Sequence, residues 1–131
     1  MSATTLSPGP LIAVVGVCAS GKSTLAQALQ ERGFNARQVH QEHSHVPDMW
    51  QRLTGPDVLI CLDASLEVVR KRRRAPDFPD WLLADQRRRL RHARQSCDLY
   101  LQTDYMTPEE VLAAALRLLG DLSVGRASPP F

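Results

Sequence analysis

The most specific chemistry in the chain lies near its start, in Gly16-Val17-Cys18-Ala19-Ser20-Gly21-Lys22-Ser23. This run fits the pattern G-x-x-x-x-G-K-[ST], and it stands between an apolar segment and a helical one, as its mechanism requires. Glycines let the backbone curl so that successive N–H groups point inward at phosphate oxygens, and the N-terminus of the next helix adds partial positive charge. The expected phosphate cradle is Gly16, Cys18, Ala19, Ser20, Gly21, Lys22, Ser23 and Thr24. Lys22 is expected to reach the β- and γ-phosphates, and Ser23 to ligate Mg²⁺. Cys18 reads as a tolerated small side chain, although a helix N-terminus can also lower a thiol's pKa.

A loop of this type needs a carboxylate at a nearby strand end to complete the metal site. Two acids qualify. Asp63 follows the apolar run Val58 to Leu62, but a strand-end Asp is also an ordinary helix-capping residue. Glu42 lies just past a weak strand over Ala36 to His40, and it ends close to the phosphates if that strand lies beside the first. Glu42 is the preferred acid. His40, His43 and His45 cluster around it, yet no cysteine or third spaced carboxylate completes a tetrahedral metal set, so they read as a solvated or substrate-facing loop. His43 remains a candidate base or acceptor contact, and Asp48, Met49 and Trp50 could line an acceptor cleft or belong to the core.

The elements that must hold these groups alternate. Leu11 to Val15 and Val58 to Leu62 are short, continuous and apolar, which suits strands buried on both faces of a parallel sheet. Helices are expected from Lys22 to Arg32, closed by Gly33, over Pro47 to Leu53, from Ser65 as N-cap to Arg74, and from Trp81 to Gln95. Leu99 to Leu101 makes a last strand. Thr107-Pro108-Glu109-Glu110 is a capping box with proline at the first helical position, opening a helix that ends at Gly120. The expected fold is α/β, a three-layer sandwich around a small parallel sheet of about four strands.

With 131 residues and 44% hydrophobic content, one core without disulfides or structural metal is expected, in one domain over 11–120 with flexible tails at 1–10 and 121–131. Three cysteines at no metal-ligand spacing, with no leader or membrane-length apolar run, suggest a reduced, soluble, cytoplasmic protein without a membrane partner. Net charge is only +2, but ten of the 16 Lys and Arg residues lie between Arg70 and Arg94. That concentration implies a local anionic partner, while so small a total makes a nucleic-acid partner unlikely.

Three blocks carry a resemblance to the P-loop nucleoside and nucleotide kinases, the group of adenylate, thymidylate and dephospho-coenzyme A kinases. They are the glycine loop, Pro56 to Arg70, and Cys97 to Asp104 with Thr107 to Val111. The resemblance implies ATP and Mg²⁺ as cofactors, an unidentified small-molecule acceptor, and transfer of the γ-phosphoryl group. It implies lid arginines on the helix that begins near Ser65. Arg70 and Arg74 are favoured because they share one helix face. It also implies contacts to base or ribose from Thr103 and Asp104, and it makes the acid after the Val58 to Leu62 strand structural or peripheral. The catalytic set is then Lys22, Glu42, Asp63, Arg70 and Arg74, and the metal set Ser23, Glu42 and Asp63. No Asn-Lys-x-Asp motif is present to read guanine. The segment between the first helix and Asp57 is too short for the group's acceptor subdomain and its acidic-arginine pair. The alternatives that stay open are a minimal kinase, a protein partner or homodimer completing the site, and a nucleotide-dependent regulatory module without an acceptor.

Overall fold

Alternate residues of a strand face opposite sides of its sheet, so a strand that is apolar at every position needs a cover on both. The computed structural model, which describes residues 9–124, supplies both covers. Four strands, β1 (Leu11–Gly16), β2 (Asn35–Gln38), β3 (Val58–Asp63) and β4 (Leu99–Gln102), form one parallel sheet in the order β2-β1-β3-β4. Ile12, Val14, Ile60 and Leu62 face helix α1 (Lys22–Glu31) and the closing helix α6 (Pro108–Asp121), where Leu25, Leu29, Ala115 and Leu119 meet them. Ala13, Val15, Leu59 and Cys61 face the other way. They pack with Trp50 of α2 (Met49–Thr54), Val69 of α3 (Leu66–Arg73), Leu83 of α4 (Asp80–Arg89) and Ala93 of α5 (Arg91–Ser96). This is the three-layer α/β sandwich expected from the sequence. Each fully buried Leu or Ile contributes about 1.5–3 kcal/mol.

Local chemistry sets the element ends. The Ser65 hydroxyl accepts the Val68 N–H to start α3, and Thr107 and Glu110 close a reciprocal capping box on α6. Gly55, at φ 52°, turns the chain out of α2. Several boundaries differ from the sequence expectation: β2 covers Asn35–Gln38 rather than Ala36 to His40, and α2 begins at Met49 rather than Pro47. The helix expected over Trp81 to Gln95 is two, α4 and α5, meeting at Leu90, whose buried side chain joins the core while its N–H and C=O still bond to Gln86 and Arg94. Gly120 does not end α6, which continues through Asp121 to a cap at Leu122. The flexible tails expected at 1–10 and 121–131 lie mostly outside the described residues, and Asp121 belongs to α6. Among the described residues no helix is long and apolar enough to cross a membrane.

Candidate phosphate-binding site

The loop between β1 and α1 is shaped by two positive φ angles, 59° at Ala19 and 99° at Gly21. Gly16 is required by close approach: a Cβ there would stand 2.5 Å from Ser20 Oγ and 2.6 Å from the Leu62 carbonyl oxygen. Gly21 is the residue before α1, and among the described residues no side chain caps that helix. Its first-turn N–H groups are therefore available to an anion.

A cavity of about 450 Å³ opens over this loop, walled by Ala19, Ser20, Gly21, Lys22, Ser23, Thr24 and Leu25. Arg72 and Thr103 close a second side, and Met106, Pro108 and Val111 supply an apolar one. Gly16 and Cys18 are not on this wall. Gly16 ends β1, and the Cys18 N–H donates to Gln86 Oε1 at 2.9 Å.

Lys22 leads out of the loop to Glu42. Its Nζ lies 2.6 Å from Glu42 Oε2, and the Glu42 side chain is 1% exposed. The other carboxylate oxygen, Oε1, is buried without a hydrogen-bond partner among the described residues. Glu42 reaches this place because β2 lies beside β1 and a 3₁₀ turn, Gln41–His43, follows it. Gln41, wholly buried, fixes the turn: its Nε2 donates to the Val46 and Arg89 carbonyls, and its Oε1 accepts the Trp50 N–H. Arg89 Nη1 also donates to the Glu42 carbonyl at 3.2 Å, so the end of α4 braces the same turn. His40 Nδ1 and His43 Nε2 stand 3.7 and 3.6 Å from Glu42 Oε2 on the exposed side, and His45 sits near Arg89. Among the described residues no group of three metal-ligating side chains comes together.

Asp63 is placed differently. Its Oδ1 accepts from the Ala64 N–H and from Arg87 Nε, and its Oδ2 accepts from the Tyr100 hydroxyl at 2.7 Å. Burial, then the hydrogen bond and charge of Asp63, push the Tyr100 phenol up to about 12, so it stays a donor. Burial likewise raises the Cys61 thiol to about 12 and, more mildly, raises Cys97.

The arginines divide in an unexpected way. Arg70 donates to the Phe78 carbonyl, and Arg74 takes a left-handed φ of 54° to end α3; both line an outer groove with Leu66, Glu67, Lys71 and Pro76 rather than the loop cavity. Arg72 is the one on the cavity wall. Its guanidinium donates to the Ala19 carbonyl at 2.9 Å and to the Thr103 hydroxyl and carbonyl at 3.0 and 2.6 Å. The Thr103 hydroxyl donates in turn to the Ser20 carbonyl at 2.9 Å. Asp104 turns away and accepts the Ser65 N–H. Burial works to raise its carboxyl, but the Ser65 and Gln102 hydrogen bonds and the Arg72 charge hold it below its ordinary value.

Sequence reasoning missed Arg72, Gln41 and Gln86. Gln86 carried a usable signal, as the one polar side chain in the buried row Leu83, Gln86, Leu90, Ala93. Arg72 carried none that distinguishes it from its neighbours.

The model of an AAA domain family matches residues 12–75, the span from β1 to the turn after α3. No curated protein matches the chain. The loop with its flanking strand and helix, together with this match over residues 12–75, is P-loop NTPase-like, an architecture consistent with nucleotide binding.

Proposed function

We propose that the chain binds ATP with Mg²⁺ and transfers the γ-phosphoryl group to a small-molecule hydroxyl or phosphate acceptor. The observation that carries this reading is Glu42: a buried carboxylate beside the loop lysine, with one oxygen lacking a hydrogen-bond partner among the described residues. A buried unpaired polar atom is costly, and such atoms gather where a ligand completes them. Oxygen donors suit Mg²⁺, so Ser23 and Glu42 are the residues that would hold it, and the ion would offset charge on the phosphates. Asp63 fits that role less well because both its oxygens are engaged.

The chain's own residues take the remaining parts. The loop N–H groups and Lys22 hold the phosphate tail, and Met106, Pro108 and Val111 offer the base an apolar wall. Arg72, tied to the loop by its hydrogen bond to Ala19, lies between them. Arg70 and Arg74 line the outer groove instead. In the transfer the acceptor oxygen bonds to the γ-phosphorus as the bond to the β–γ bridging oxygen breaks. ADP leaves with that electron pair. A hydroxyl acceptor gives its proton to a base, for which His43 on the exposed side of Glu42 is the candidate, and an anionic phosphate acceptor has none to give. This work suits the cytoplasm.

Calorimetry of ATP, ADP and GTP with wild type and Lys22→Ala, followed by labelled ATP with a metabolite pool, tests the reading. Binding lost in the variant, with label reaching one metabolite, is the expected result. Binding without transfer favours the regulatory module, and no nucleotide binding overturns the proposal.

A further inference from the structure

Beyond the phosphate site, an unassigned charged surface runs along the outer face of α4 and α5. Trp81, Ala84, Arg88 and Arg91 are all exposed, and Trp81 is 66% exposed. Their spacing of three, four and three residues puts them within an arc of about 80° along about 15 Å of helix. Helical hydrogen bonds enter and leave Leu90, from Leu90 N–H to the Gln86 carbonyl and from Arg94 N–H to the Leu90 carbonyl, so the face continues across the break. Arg91 makes no hydrogen bond or ion pair among the described residues, and Arg88 meets only Asp85 at the surface. Five arginines stand against two acids from Asp80 to Arg94, and no lysine is among them.

A run of arginines is by default a solvated face, and three features argue for more. A large indole is left exposed within the charged stripe, uncovered among the described residues. The cations are guanidinium, which matches phosphate geometry and stacks on planar groups. One flat apolar group followed along the same strip by cations can take an unpaired base and the neighbouring phosphates together.

We propose that this face binds single-stranded nucleic acid, a few nucleotides long in contact, with Trp81 stacking on a base and Arg88 and Arg91 on phosphates. The whole-chain charge of +2 argued against such a partner, but the charge is gathered on this strip rather than averaged. Arg89, between the two phosphate-facing arginines in the chain, is not on this strip and turns inward to brace the Glu42 turn.

The test is fluorescence anisotropy of the full chain with a dye-labelled oligonucleotide of about 12 bases at low salt. Trp81→Ala is expected to weaken binding about tenfold. Arg88→Ala and Arg91→Ala should each reduce the slope of log affinity against log salt by about 0.7. ATP affinity and melting temperature should stay at wild-type values in all three. The proposal is overturned if no oligonucleotide binds, or if the three variants bind as wild type does. Equal competition by a polyglutamate peptide, with Trp81→Ala silent, would also overturn it by showing an acidic-protein surface instead.

Discussion

Both strands that flank β1 lead to a buried acid, but the two acids live in opposite circumstances. Asp63 closes β3 with every oxygen occupied, tied to Ala64, Arg87 and Tyr100, and so joins β3 to α4 and β4. Glu42 follows β2 with one oxygen on Lys22 and the other without a partner among the described residues. A satisfied buried carboxylate is a fastener, whereas a half-satisfied one stores binding capacity for a ligand. Position at a strand end therefore does not distinguish a reactive acid from a structural one. The count of partners does.

The sharpest way to break this comparison is Glu42→Gln, expected to lower phosphoryl transfer per folded molecule by about a hundredfold or more. Asp63→Ala should do the reverse, lowering thermal stability by about 2–3 kcal/mol through lost charge-assisted hydrogen bonds while turnover per folded molecule holds. If both variants lose turnover alike, the distinction fails. Gly16→Ala tests the shared strand between them: its Cβ would meet Ser20 and the Leu62 backbone, at a cost of about 1–3 kcal/mol read by denaturant titration. Gln86→Ala leaves the buried Cys18 N–H without its acceptor, which should cost about 1 kcal/mol and weaken ATP binding through a looser loop. The smallest effect belongs to Asp104. Its carboxyl is held below its ordinary value in the fold, so its contribution is present above the unfolded-state pKa and is lost as pH falls through the folded one. Asp104→Asn should flatten that acid limb of a melting-temperature profile by lowering the neutral-pH value slightly and leaving the low-pH value nearly unchanged.

The skeleton was legible because its signals are local. Leu11 to Val15 and Val58 to Leu62 are apolar at both parities, which only a sheet covered on both sides explains, and the Thr107 capping box and the glycine loop are contiguous in sequence. What stayed hidden depends on residues meeting across the fold. Arg70, Arg72 and Arg74 are one residue type on one helix, and only the packing of Val69 against the sheet decides that Arg72 meets Ala19 and Thr103. The nearness of Glu42 to Lys22 was readable only on the condition that β2 pairs with β1. Gln41 and Gln86 act on carbonyls and N–H groups far along the chain, which no spacing records. Leu90 breaks a helix without glycine or proline, and the break leaves no local mark.

The sheet's two borders bear on how the chain keeps company with itself. Border strands offer unpaired N–H and C=O groups, a template on which another copy can grow. β2 offers only Asn35 to Gln38, with Arg37 and Gln38 exposed, and at the far border Arg94 lies 4.2 Å above the Tyr100 ring. An incoming strand at either side would have four residues to zip along and an arginine to desolvate. The brevity that leaves this sheet with four strands thus also guards it against fibrous growth.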